Sequence, residues 1–321
     1  MVRENDSHSS METYLSCPKR YNSKYILLYD TESTDLMIRG SLIHDTFDRF
    51  YDEIDLEKTL GLLGRVNLGE KIEESPAHRY FMSVLEASTD INNELYNDEF
   101  ERDLVYKCYH SFAIMNILYA MDLVKEIGVL DEFVINEYWM PKRKEVMYVD
   151  EKLHVRGKID LERVTPNGDI VLIDYKITGS KKFKKTHDRE VRQARMYMHL
   201  KQVVDNVQPA KLKMYFIYPH VPLGDSPHVL KVDWNKTGEN AMYKRIKRIR
   251  GLIDKGEFRP CWEVYPMTCK PVNEVARPWI YKRVCNYCSF IEECFGIDST
   301  MFTAWVNAMF HKEAIDPNAK P

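Results

Sequence analysis

No stretch of the chain approaches the roughly 18–20 uninterrupted apolar residues that a membrane-spanning helix needs. The start, Met1-Val2-Arg3-Glu4-Asn5-Asp6, lacks the apolar run of a secretion signal. Both absences lead to the expectation of a protein that stays in the reducing, cytoplasmic compartment where it is made. Neither sign of charge dominates: 46 Lys and Arg stand against 49 Asp and Glu, for a net charge of −3. A polyanionic partner is therefore not announced by the global field and has to be met by a local basic surface. Seven cysteines in 321 residues are too few and too scattered for a disulfide framework. No G-x4-G-K-[ST] loop occurs, which excludes a built-in nucleotide-driven motor of that type. Internal repeats and long low-complexity tracts are absent as well.

What remains is an ordinary globular composition, 44% hydrophobic and 30% charged. Its length suits one domain with insertions. Residues 13–30 read as a helix with a Tyr-rich apolar face (Tyr14, Leu15, Tyr21, Tyr25). A second helix starts near Gly40, where Leu42, Ile43, Phe47, Phe50 and Tyr51 recur at helical spacing. Residues 55–127 are helical in pattern throughout. From Phe133 to Trp139 the composition is that of a strand, and strands follow at 153–164, 170–177, 211–218 and 229–232. Helices are expected at 188–204 and 239–255, with a loose tail from Glu313. Helices, a small sheet and further helices imply an α/β core around one mixed sheet.

The most informative segment is the hairpin around Thr165-Pro166-Asn167-Gly168-Asp169. Pro-Asn-Gly fits a three-residue loop, a type I turn followed by glycine in the left-handed region. That loop centres the hairpin on Asn167, seven residues from both Asp160 and Asp174, and so sets the two carboxylates opposite one another. Lys176 shares a face with Asp174 because strand side chains alternate with period two. Facing carboxylates beside a lysine suit an oxygen-preferring cation such as Mg²⁺ or Mn²⁺, which can polarise a phosphate and lower the pKa of a bound water. A bare D-x-K is more often an exposed strand face with a structural Asp–Lys pair. The apolar run Ile170-Val171-Leu172-Ile173 argues instead for burial, where charges need partners.

The hairpin, Gly157-Lys158-Ile159-Asp160 followed by Leu172-Ile173-Asp174-Tyr175-Lys176-Ile177-Thr178-Gly179, resembles the core motif of RecB-like PD-(D/E)XK nucleases. The resemblance implies a restriction-endonuclease-like fold, with a central mixed sheet flanked by helices plus a helical insertion. It makes Asp160, Asp174 and the Tyr175 backbone carbonyl metal ligands and Lys176 the catalytic lysine. Gly40-Ser41-Leu42-Ile43-His44 matches the family's G-x-x-x-H and adds His44 as a ligand. Gln193-Ala194-Arg195-Met196-Tyr197 matches its Q-x-x-x-Y, one helix face on which Gln193 holds the scissile phosphate or the lysine and Tyr197 contacts DNA. Glu137, before the hairpin, is a candidate further carboxylate. Alone, His44 reads as a satisfied helix histidine, and Gln193 and Tyr197 as an ordinary helix boundary. The basic run Lys181, Lys182, Lys184, Lys185, Arg189, Arg192 and Arg195 lies where a DNA backbone must pass. Lys244, Arg245, Lys247, Arg248 and Arg250 form a weaker candidate contact.

Cys285-x2-Cys288-x5-Cys294 offers three thiolates on a short turn, and Cys17 in Ser16-Cys17-Pro18 is the natural fourth. The chemistry allows tetrahedral zinc or a [4Fe–4S] cluster. The order of these cysteines is similar to that in the iron–sulfur subset of RecB-like nucleases, the CRISPR-associated exonuclease family and AddB-type nuclease domains. That resemblance makes Cys17, Cys285, Cys288 and Cys294 cluster ligands that clip the chain ends together. Cys108 reads as a buried free thiol, and Cys261 and Cys269 are unassigned.

The expected organisation is N-terminal helices with the first cysteine and the histidine motif (1–54), a helical insertion (55–130), the nuclease core with the cysteine triplet (131–296), and a C-terminal helix with its tail (297–321). The expected activity is Mg²⁺- or Mn²⁺-dependent cleavage of DNA, as an exonuclease on single-stranded ends in recombination, repair or replication. Rival readings are a non-cutting DNA-binding or assembly subunit, a nuclease trimming DNA for CRISPR adaptation beside a protein partner, and a zinc-containing endonuclease.

Overall fold

The computed structural model describes residues 4–29, 31, 34–66, 71–89, 98–177, 187–223, 226–274 and 276–315. The chain forms two units: Met1–Glu32 with Asp150–Arg156 and Ala241–Pro321, and Ser33–Val149 with Gly157–Asn240. At the start of the first, α1 (His8–Ser16) and α2 (Pro18–Tyr21) replace the single helix expected from residue 13. Cys17 is extended between them and Pro18 opens the second, because proline has no N–H to continue a helix but is tolerated in its first turn.

The second unit starts with four helices: α3 (Asp35–Glu53), α4 (Leu56–Leu63), α5 (Pro76–Ala87) and α6 (Glu99–Ile127). Each is opened by a side chain that accepts a backbone N–H, from Thr34, Asp55, Ser75 and Asp98 in turn. Gly128 ends α6 with φ of 90°, the left-handed cap that glycine takes without strain. Phe47, Phe50, Phe81, Phe112 and Trp139 are at most 1% exposed and join these helices. Each such side chain contributes about 1.5–3 kcal/mol by leaving water.

Residues 133–139 are not a strand. Glu132–Val134 forms the short α7, and Ile135–Trp139 continues as a π-helical turn. The β-type composition is overridden by packing: Val134, Ile135 and Trp139 are buried in the helical core, and Trp139 Nε1 donates to the Asn116 carbonyl at 2.9 Å. The first strand comes later, at β1 (Arg143–Asp150), followed by β2 (Val155–Val164) and β3 (Ile170–Tyr175). After α8 (Asp188–Asp205) come β4 (Leu212–Leu223) and β5 (Ser226–Asp233). The five strands lie in the order β1-β2-β3-β4-β5. The hairpins β2–β3 and β4–β5 are antiparallel, and β3 runs parallel to β4, so the crossover between them carries α8. This is the mixed five-stranded, helix-flanked sheet of the restriction-endonuclease-like fold.

Helix α9 (Lys236–Asp254) leads back to the first unit, which ends in α10 (Arg277–Arg283), α11 (Ile291–Phe295) and α12 (Ser299–Ile315). The expected loose tail is thus helical as far as Ile315. Among the described residues no helix is long and apolar enough to cross a membrane.

Candidate active site

Register places the two carboxylates. Val164 pairs with Ile170 and Leu161 with Ile173, so the hairpin is centred on Asn167. Gly168 has φ of 74°, as the turn requires. The ladder ends at Leu161–Ile173, and the same register continued by one step would set Asp160 opposite Asp174. The Tyr175 N–H donates to Asp160 Oδ2 at 2.8 Å, and the Lys176 N–H donates to the Ile217 carbonyl on β4 at 2.8 Å. β3 pairs with β4 along its whole length, to Tyr175–Ile217, whereas its pairing with β2 stops at Ile173.

On the α8 side, Asp174 is 5% exposed and accepts a hydrogen bond from Gln193 Nε2 at 2.9 Å. Its other oxygen is ion-paired with Lys176, whose ammonium also lies 5.2 Å from the Phe216 ring centre. On the α3 side, His44 Nδ1 is 3.3 Å from Asp160 Oδ2. Burial pushes the Asp160 carboxyl up to about 7; His44 opposes the shift, and the charge of Asp174 adds to it.

The sequence reading missed a third carboxylate. Glu145 of β1, His44 and Asp160 offer ligand atoms all within 4.8 Å of one another. An open cleft is lined by His44, Asp48, Lys144, Glu145, Asp160 and Tyr175. Glu145 is also ion-paired with Lys158 of β2. Oxygens with one imidazole are donors that a divalent cation such as Mg²⁺ or Mn²⁺ accepts, and a cation would offset the burial that disfavours the Asp160 carboxylate.

Helix α8 is seated by Gly157. A Cβ there would stand 2.6 Å from the Tyr197 ring and 2.9 Å from Leu200, so only glycine lets the helix approach. Tyr197 is 8% exposed and its hydroxyl hydrogen-bonds Gln193. It orients the glutamine, and its buried position gives no surface for the DNA contact expected of it.

Glu137 belongs to the π-helical turn, is half-exposed and pairs with Lys142 at 2.7 Å. Lys181, Lys182, Lys184 and Lys185 lie outside the described residues, as do Thr178 and Gly179. Arg189 is exposed on α8, Arg192 is half-buried there, and Arg195 packs beside Gly238. The second basic run is largely spent on internal partners: Arg245 pairs with Glu12, Arg248 donates to the Met267 carbonyl, and Arg250 pairs with Asp6. Lys244 and Lys247 remain exposed.

The first unit holds a separate cysteine chamber. Cys17, Cys261, Cys285, Cys288 and Cys294 line one space of about 300 Å³, with Trp262 among its apolar walls. Cys261 was not foreseen here; its Sγ lies 3.9 Å from that of Cys285. A hydrogen bond to Cys261, followed by burial, pushes the Cys17 thiol up, and burial raises Cys294 to about 11. Such thiols are inert unless a metal displaces their protons. Cys108 is fully buried in α6, where burial raises its thiol to about 12, as suits a structural cysteine.

A family model described as the PD-(D/E)XK nuclease superfamily matches residues 6–295. Among solved structures, a candidate exonuclease from Eubacterium rectale is similar at 13% identity and TM-score 0.40, over 80% of this chain and 84% of that one. The crystal structure of SSO0001 is similar at 14% identity and TM-score 0.29, over 78% and 96%. No curated protein matches.

Proposed function

The chain belongs to the PD-(D/E)XK nuclease superfamily, and from that premise we propose that it is a metal-dependent deoxyribonuclease acting as an exonuclease on single-stranded DNA ends. The observation that carries this reading is the state of the two hairpin carboxylates: Asp160 meets His44, while Asp174 is held by Gln193 and Lys176. A purely structural Asp–Lys pair needs neither the histidine nor the buried amide.

His44, Asp160, Asp174 and the Tyr175 carbonyl would hold Mg²⁺ or Mn²⁺, which supplies Lewis acidity toward a phosphate oxygen and a more acidic bound water. Gln193, steadied by Tyr197, fixes the orientation of Asp174. Lys176 brings a positive charge beside that carboxylate, where it can orient a water or offset charge developing on a phosphate. The Tyr175 N–H holds Oδ2 of Asp160, the oxygen that His44 also approaches. Exposed Arg189 on α8, with the lysines that precede it in sequence, supplies the attraction for a DNA backbone.

In the cysteine chamber, Cys17, Cys285, Cys288 and Cys294 are the proposed ligands of a [4Fe–4S] cluster. Thiols facing one space are soft donors suited to it, and the cluster's role is to clip the two chain ends together. DNA processing in recombination, repair or replication is the corresponding context.

The test is Mn²⁺-dependent digestion of end-labelled linear single strands beside covalently closed circles, with iron and sulfide analysis of the same anaerobic preparation. Nucleotides released from labelled ends, with circles intact and iron present, are expected. Cut circles would replace exonuclease by endonuclease. Folded protein that binds DNA but cuts neither substrate would favour a DNA-binding subunit.

A further inference from the structure

Glu145 stands in an unusual place for an ordinary strand residue. Its φ is 53°, in the left-handed region that non-glycine residues rarely adopt, and it interrupts the extended course of β1. Its carboxylate has two neighbours of different kinds. On one side is Lys158, an ammonium on a half-exposed side chain. On the other are the ligand atoms of His44 and Asp160, within 4.8 Å. Lys144, next in sequence, is committed to Asp48 and Asp52 and does not serve this carboxylate.

We propose that Glu145 is a ligand of the divalent cation at the His44–Asp160 end of the site, and that Lys158 takes the cation's place beside it when none is bound. The assignment rests on the metal-dependent reading above and adds a ligand to it. An imidazole nitrogen and two carboxylates from α3, β1 and β2 then converge on the same cleft. The two carboxylates are ligands that suit Mn²⁺. The Lys158 side chain is 54% exposed, so its ammonium can move into water as a cation arrives, and an ion pair this exposed resists little. A bland alternative keeps Glu145 as the surface partner of Lys158 alone, and the two substitutions below separate the cases.

The experiment is Mn²⁺ titration of the full chain, read by the electron paramagnetic resonance of the free ion, with thermal unfolding in EDTA to establish that each variant is folded. Glu145→Gln keeps the shape and removes the charge; its Mn²⁺ affinity is expected to fall at least about tenfold, the least that disturbing a metal's surroundings usually costs. Lys158→Gln tests the same assignment without touching the carboxylate, and is expected to bind Mn²⁺ at least as tightly as the wild type. Unchanged affinity in Glu145→Gln overturns the proposal, and so does a loss in Lys158→Gln as large as that in Glu145→Gln. Asp160→Asn distinguishes the deeper failure. If it binds Mn²⁺ like the wild type, the metal centre itself is misplaced. If it loses binding while Glu145→Gln does not, only Glu145 is wrongly assigned.

Discussion

Gln193 Nε2 donates to Asp174 Oδ1 at 2.9 Å, and this bond ties helix α8 to the end of strand β3. Asp174 is nearly buried, so the bond satisfies an oxygen that water does not reach. Gln193→Ala is therefore expected to leave the chain folded but let the carboxylate turn. Cleavage should slow by roughly 10- to 100-fold, as when second-layer supports of metal sites are removed. Steady-state kinetics should place most of the loss in kcat rather than KM.

Gly157→Ala should act through the same helix. The added methyl meets the Tyr197 ring at 2.6 Å and Leu200 at 2.9 Å, so α8 must shift. Overpacking of this kind costs about 1–3 kcal/mol, measurable by urea unfolding. Activity should fall with it, since Tyr197 and Gln193 ride on α8.

Lys201 is 2% exposed and ion-paired at 2.5 Å with both Glu162 of β2 and Asp205 of α8. Lys201→Met leaves the buried Glu162 without its cation. Breaking a buried pair from one side costs about 3–5 kcal/mol, and chemical denaturation should register a loss of that order.

His78 gives the helical insertion a pH dependence. It is 5% exposed on α5, its ring centre lies 4.7 Å from that of His110 on α6, and burial followed by His110 lowers its pKa from 6.5 to about 4. A depressed histidine contributes stability that is present above the unfolded value and is lost as pH falls from about 6.5 toward about 4. The loss should be on the order of 3 kcal/mol, and His78→Gln should flatten it in unfolding curves recorded across that window.

Asp160 has the opposite sign. Its carboxyl is raised from 3.8 to about 7, so its own contribution to metal-free stability is complete below about 4 and disappears as pH rises through about 7. A divalent cation competes with that proton. Mn²⁺ should therefore raise the melting temperature more at pH 8 than at pH 6, and Asp160→Asn should remove most of the difference.

The hairpin was legible because its information is local: Pro166-Asn167-Gly168 dictates the turn, and the turn dictates the register that pairs Leu161 with Ile173, one step short of Asp160 and Asp174. The spacing of Gln193 and Tyr197 was equally local, but the contact of Tyr197 with Gly157 depends on how a helix seats on a strand. Glu145 was invisible because β1 begins Arg-Lys-Glu, a charged start with no strand alternation. The segment 133–139 misled in the other direction, since its aromatic and branched residues serve a helical core. Cys261 joins the other cysteines from a distant point in sequence, and no local spacing marks it.

The central claim is that Asp160, Asp174 and Lys176 form a metal-dependent phosphodiester-cleaving centre. Its most direct test is single-turnover cleavage of end-labelled single-stranded DNA with Mn²⁺, comparing folded wild type with Asp174→Asn and Lys176→Met. Each substitution is expected to slow cleavage by roughly a hundredfold or more, the scale of losing one preorganised charge at a reacting centre. Variants that cut at the wild-type rate would contradict it and put the chemistry elsewhere in the chain.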